Sequence, residues 1–363
     1  MRTRTLLGPS LAVAGLLIVA ACTTAPITTA TGPGRAPGSG PPASTSSAST
    51  RPRTPLATAG TALVATDEGL ASVPIGARTP AWTVTGGAAA DGSAVFATEQ
   101  EQLYTTVSQR DLRSGSVLRR WDITGDLRVA AVAPGGRWVA LVTRPTPAAA
   151  HVYAYDAPAP PLDGDQTRLV VLDTEGPRHR VADLVLQGDV EPEAFSPDGA
   201  LVYTLRHVAG GYRIQTVDLA TGSQSPTFGR LKVEGTDMHG EVVASVLNPD
   251  RTIQATLYRN PGNALQPAFV HVLDLQNNWA HCADLPATGA NGAVGWDTIT
   301  MTPTGTALVG AAAAGMVAEI KIEAVHDPEG KVTVDVRDDP APPALPAGLR
   351  DVPGFNRLVA LVP

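Results

Sequence analysis

Short runs that alternate apolar and polar residues follow one another from about residue 60 to the C-terminus, with tight polar turns between them and almost no helical spacing. One hairpin pattern recurs. AVAPGGRWVALV runs from Ala131, AFSPDGALVYTL from Ala194, SVLNPDRTIQATL from Ser245 and ITMTPTGTALVGA from Ile299, with a weaker copy, GAAADGSAVFAT, from Gly87. Each reads as strand, turn, strand. In Ser196-Pro197-Asp198-Gly199 the proline presets the second position of a type I turn, aspartate suits the third, and glycine accepts the positive φ that follows. Arg251 stands where the other copies place glycine, which predicts a strained or differently shaped turn there.

A second pattern follows each hairpin: TVSQRDLRSGS, TRLVVLDTEGP, RIQTVDLATGS and FVHVLDLQNNW. Each is an alternating strand that ends in aspartate, then a polar turn, then another strand, so the whole unit has four strands. The hairpin turns fall at positions 90, 134, 197, 249 and 303, giving five full units. The strands in GTALVATDEGLASVPI near residue 60 and FNRLVALVP at the C-terminus have no partners of their own and are expected to join into a sixth unit. Otherwise two long strand edges would stand open. Four-stranded units of this length, repeated radially, predict an all-β fold, a β-propeller of six blades closed by pairing of the N- and C-terminal strands, with seven blades as the alternative. The FSPDG…VDLATG pattern resembles the blades of the TolB-type, YVTN and WD-repeat propellers over most of residues 60–337. Its motifs are structural turns, so the resemblance implies a fold and not an activity. Trp121-Asp122 falls on the last strand of its unit and is not the WD signature.

The propeller resemblance directs attention to the channel mouth. Counting back from each turn proline to the start of its inner strand finds Asp126, Glu191, Glu193, Glu241 and Asp297. If the units superpose, these carboxylates gather at one end of the channel, where they could hold a hard cation such as calcium or a basic ligand. The plainer reading is solvated acids at strand ends. His239, flanked by Asp237 and Glu241, is the best-placed histidine for general-base work, against the plainer reading of an inert loop residue. The longest loop, about 143–168, is proline-rich and carries Tyr153 and Tyr155, whose apolar bodies and polar tips suit protein or glycan contact. The chain has no Gly-x-Ser-x-Gly, no His-Glu-x-x-His and no phosphate loop, so no residue is nominated as catalytic.

Composition changes the picture at the N-terminus. Residues 1–21 read as a secretory signal, with Arg2 and Arg4 ahead of an apolar run too short to span a bilayer. Val19-Ala20-Ala21-Cys22 resembles the lipobox of bacterial lipoproteins, which implies cleavage before Cys22 and acylation there with fatty acids such as palmitate. Residues 22–57 carry no acidic and no aromatic side chain and predict a disordered tether; the folded domain is expected over 58–363. Cys282, the other cysteine, has no intramolecular partner in the mature chain and is expected to be a small buried hydrophobe. Only three of the 27 basic residues are lysine, a bias typical of GC-rich genomes and so of actinobacteria.

Residues 1–53 hold five of those basic residues and none of the 34 acids, which leaves the remainder at 22 basic against 34 acidic, a net charge of −12. Nucleic acid binding would need the opposite balance. Together these features predict a monomeric lipoprotein at the outer face of the cytoplasmic membrane, held by its lipid anchor, that binds an envelope protein or a cell-wall component. The alternative is a propeller-type hydrolase or lactonase with a metal at the channel mouth.

Overall fold

The computed structural model describes residues 60–362 apart from 86–87, 91–93, 102, 144–165, 177–178, 209–210, 227–237, 261–262, 264–265, 290–291, 324–330, 340–341 and 347. Cys22, Tyr153 and Tyr155, the signal segment and the tether lie outside the described residues. The first strands are β1 (Thr61–Thr66), β2 (Gly69–Pro74) and β3 (Trp82–Thr85). Four antiparallel sheets follow in sequence: β4 (Ala88–Ala90), β5 (Val95–Gln100), β6 (Tyr104–Arg110) and β7 (Val117–Thr124); β8 (Leu127–Val132), β9 (Trp138–Thr143), β10 (Gln166–Asp173) and β11 (Arg180–Gln187); β12 (Asp189–Phe195), β13 (Leu201–Val208), β14 (Gly211–Asp218) and β15 (Gln224–Pro226); and β16 (Glu241–Leu247), β17 (Ile253–Arg259), β18 (Ala268–Asp274) and β19 (Trp279–Leu285). A two-stranded ribbon, β20 (Thr288–Gly289) with β21 (Gly292–Ala293), precedes the sheet of β22 (Thr298–Met301), β23 (Ala307–Ala311), β24 (Met316–Glu323) and β25 (Lys331–Asp338). The last strand, β26 (Phe355–Val362), returns to the first sheet and pairs antiparallel with β1, Val64 opposite Leu358. The described residues thus form six four-stranded sheets, the sixth assembled from both ends of the chain as the strand count predicts. Among the described residues no sheet closes on itself.

The turn chemistry repeats as the sequence reads. Gly136, Gly199, Arg251 and Gly305 donate their amides to Ala133, Ser196, Asn248 and Thr302, at 2.8, 2.9, 2.9 and 3.0 Å. All four sit at positive φ, including Arg251 at 61°. The arginine therefore keeps the turn's shape in a conformation that disfavours a Cβ by about 1–2 kcal/mol. At Gly199 a Cβ would also stand 2.4 Å from the Trp138 ring of the preceding sheet, so this position needs glycine twice over.

The second motif is equally regular. Asp173, Asp218 and Asp274 end the third strand of their sheets, and Asp111 directly follows the third strand of its own. Each accepts two backbone amides on one carboxylate oxygen, those of Arg113 and Ser114, Glu175 and Gly176, Ala220 and Thr221, and Gln276 and Asn277. The aspartate satisfies amides that the turn strips from the ladder, which is why it recurs.

Each sheet buries a face against the next. Leu63 and Leu70 of the first pack with Val95 of the second. Phe96 and Val107 pack with Val129 and Leu141 of the third, and Leu169 and Val171 with Phe195 and Val202 of the fourth. Tyr212 of the fourth packs on Tyr258 and Phe269 of the fifth, and the Tyr203 hydroxyl donates to the carbonyl of Leu275 at 3.1 Å. Leu257 and Val270 of the fifth share a core with Val309 and Ile320 of the sixth. From the sixth to the first the contact is made by the segment before β26: Thr298 Oγ1 donates to Pro343 O at 2.8 Å, while Leu349 and Val352 enter the core of the first sheet. Face-to-face burial between successive sheets is the physical basis of a propeller-like body. Cys282 departs from expectation: it is half-buried, at the edge of the Tyr212–Tyr258–Phe269 cluster, because β19 is an outer strand with a partly wetted face.

Candidate functional site

The innermost strands of five sheets, β8, β12, β16, β22 and β26, surround a cavity of about 900 Å3. Its walls are mostly apolar. The charged side chains among its described lining are Arg128, Arg251, Arg259 and Arg350 against Glu191, Glu193 and Asp297. Four arginines in the centre of an acidic domain are not what a carboxylate ring predicts.

The carboxylates have different surroundings. Glu191 of β12 meets Arg128 of β8 in a forked ion pair, with Nη1 to Oε1 at 2.9 Å and Nη2 on the second oxygen. This geometry fixes both groups across the junction of two sheets. Asp297, just before β22, receives Arg350 Nη2 on Oδ2 at 2.5 Å, while its Oδ1 is buried without a hydrogen-bond partner. Burial pushes the Asp297 carboxyl above the usual carboxylate range, and Arg350 and Arg259 oppose the shift.

Glu193 lies two residues further along β12 and differs from both. Its Oε1 accepts Thr256 Oγ1 at 3.3 Å, Gln254 Nε2 at 3.4 Å and Tyr258 OH at 3.5 Å, all from alternate positions of β17 that share one face. Oε2 is buried with no partner. Protein encloses the carboxyl, yet part of the residue stays reachable along the cavity it lines. Burial pushes it up to about 7, against the pull of the three donors. Thr256 also shares a hydrogen bond with Ser245 of β16 at 3.0 Å, so a chain of hydroxyls runs from the cavity wall to Glu193.

The structure therefore gathers three of the expected carboxylates, Glu191, Glu193 and Asp297, around one cavity. The other candidates do not line it. Asp126 is buried just before β8, His239 is exposed ahead of β16, and Glu241 is exposed as the first residue of β16. Among the described residues no group of three or more His, Cys, Asp or Glu side chains is placed to hold a metal ion. Sequence reasoning missed the arginines, which come from neighbouring strands and from the proline-rich segment before β26. It also missed the donors Gln254, Thr256 and Tyr258, whose alternation along β17 was a readable signal.

No family model matches the chain, and no curated protein matches it in sequence. Among solved structures it is similar to TolB from Acinetobacter baumannii, with a TM-score of 0.39 and 14% identity over 76% of this chain and 64% of that one, so it spans under two thirds of TolB's length. It is similar to a protein of unknown function from Desulfotomaculum acetoxidans, with a TM-score of 0.40 and 15% identity over 76% of this chain and 78% of that one. A third similar structure is a candidate 6-phosphogluconolactonase from Bacteroides uniformis, with a TM-score of 0.37 and 11% identity over 79% of this chain and 98% of that one. At these scores the fold rests on the sheet topology described above.

Proposed function

We propose that this chain is an extracytoplasmic lipoprotein whose six-sheet body is a binding module. In this reading residues 1–21 are removed, Cys22 carries the lipid, residues 22–57 form the leash, and the body engages an envelope protein or a cell-wall component at the outer face of the cytoplasmic membrane. One observation carries the choice of binding over hydrolysis. Two of the three carboxylates in the cavity are already committed to arginines, Glu191 to Arg128 and Asp297 to Arg350. A carboxylate so paired is a poor base and a poor cation ligand, whereas fixed ion pairs suit a rigid recognition surface. The competing reading, a hydrolase or lactonase, draws support from Glu193, whose proton is poised near pH 7 as general acid–base work requires.

The anchoring half of the proposal is tested by fractionation. The full chain is expected in the membrane fraction and to be released only by detergent, while Cys22→Ser is expected to lose the acylated form. A Cys22→Ser protein that still partitions and extracts like the parent would contradict the lipid anchor. In-cell crosslinking of the parent is expected to return an envelope protein or wall fragment, and crosslinking to cytoplasmic proteins alone would contradict the location.

A further inference from the structure

Among the described residues lining the cavity, Glu193 is the carboxylate that no arginine pairs with. One of its oxygens is buried with nothing to accept, and the other is held by three neutral donors at 3.3–3.5 Å, the long end of hydrogen-bonding range. A fourth neutral donor would add little to such a site. A unit positive charge in van der Waals contact with it would offset the desolvation of the carboxylate, which neutral groups do not. An anion seated directly on Glu193 would be repelled by the ionised carboxylate, although Arg251 and Arg259 also line the cavity. The same cavity is lined by apolar side chains, including Val243, Val246, Ile299 and Met301, which suit a short carbon frame.

We propose that the cavity binds a small ligand carrying a protonated primary amine, with the ammonium seated on Glu193. The free protein holds Glu193 as the neutral acid below pH 7; on binding, its proton leaves to solvent and the carboxylate pairs with the ammonium, so charge balances. Other charged and polar groups stand around Glu193. Glu191 and Arg128 form their own pair, and Gln254 and Thr256 are neutral. Burial pushes both Tyr258 of β17 and Tyr212 of β14 well above the ordinary tyrosine range. His271 of β18 lies edge-on to the Tyr258 ring, with centroids 6.3 Å apart, and Cys282 of β19 stands close to both tyrosines; the variants below separate them from Glu193. The proposal depends on the body being a binding module but not on its anchoring, so the fractionation result and this one fail separately.

The test is calorimetric titration of the full chain in detergent with two ammonium probes and their neutral matches: n-butylamine against n-butanol, and 6-amino-6-deoxyglucose against glucose. Each is titrated at pH 6 and pH 8, in two buffers of different ionisation enthalpy. At least one ammonium probe is expected to bind about tenfold more tightly at pH 8, with net proton release at pH 6, as linkage to a group titrating near 7 requires. The tighter of the two probes tells an alkylamine from an amino sugar. Cys282→Ser is expected to keep the pH dependence, and Glu193→Gln to weaken binding at pH 8 at least tenfold and to lose the dependence while His271 remains. Failure of both ammonium probes to bind, equal binding of a neutral match, affinity unchanged between pH 6 and 8, or a folded Glu193→Gln that binds like the parent would each overturn the proposal. The first three outcomes are read on the parent protein and do not depend on how the variant folds.

Discussion

Removal of residues 355–363 is expected to abolish the folded state rather than trim it. These residues form the strand that pairs with β1 along its whole length, Thr61 opposite Val362 to Thr66 opposite Phe355. Leu358 and Phe355 pack on the core made by Ala62, Val64, Ala71 and Val73, and Val359 packs on the cluster of Leu63, Leu70 and Val95 that joins the first sheet to the second. Half-burial of three large apolar side chains contributes about 1 kcal/mol each, and the ladder a comparable sum. The total, of order 5 kcal/mol, rivals the entire stability of an ordinary domain. The loss also opens one wall of the cavity, since Phe355, Asn356, Leu358 and Val359 line it. The truncated protein should be insoluble, or show no cooperative melt by circular dichroism. A soluble product melting within a few degrees of the parent would show that β26 is ornamental.

Glu193→Gln is expected to stabilise the protein at pH 8 by about 6 °C and to change little at pH 4. The sign follows from proton linkage. The folded state holds the Glu193 carboxyl at about 7, against 4.5 for the group when free, so the folded chain binds the extra proton between those values. Stability is then full below about pH 4.5, falls as pH rises toward 7, and is flat above. The difference amounts to about 3 kcal/mol, or about 6 °C for a domain of this size. Glutamine keeps an acceptor for Thr256, Gln254 and Tyr258 but has nothing to ionise. The turn aspartates work in the other direction. Asp111 is held below the ordinary range chiefly by the Ser114 amide and Asp218 chiefly by the Thr221 hydroxyl, so their contribution is present above about pH 4 and lost in acid. The two windows do not overlap, and melting curves of parent and variant from pH 2 to 8 separate them. Parallel curves across that range would show that Glu193 is not buried as described. An acid whose ionisation weakens the fold is a poor structural residue, in keeping with a role in binding.

The fold was legible because its signals are local. A proline–glycine hairpin and an aspartate that caps the next turn are each decided within five residues, and they repeat. Even the pairing of β1 with β26 followed from counting strands left without partners. The site was half legible. Glu191, Glu193 and Asp297 fall where counting back from the turn places them, but Asp126 and Glu241, found by the same count, do not line the cavity. The inner strands carry bulges, between Val129 and Ala131, between Pro192 and Ala194, and between Val242 and Ala244. The bulge on β12 leaves Glu191 on the cavity, so bulges do not sort the candidates; Asp126 and Glu241 lie eight residues before their turn prolines, further from the turn than Glu191, Glu193 and Asp297. The arginine partners were illegible for another reason. Arg128 is matched to Glu191 across 63 residues and Arg350 to Asp297 across 53, pairings that only the packing of one sheet on another creates.

The account stands on β1 and β26 sharing one sheet, since this sets β26 beside the inner strands of four other sheets around a common cavity. Val64→Cys with Leu358→Cys, in a Cys282→Ser background, tests it by mild oxidation of the native protein. The register sets these positions directly opposite each other. Rapid disulfide formation within one chain, unaffected by dilution and lost in denaturant, is the predicted result. Two thiols that stay reduced, or that link only between chains, would contradict the shared sheet and the cavity built on it.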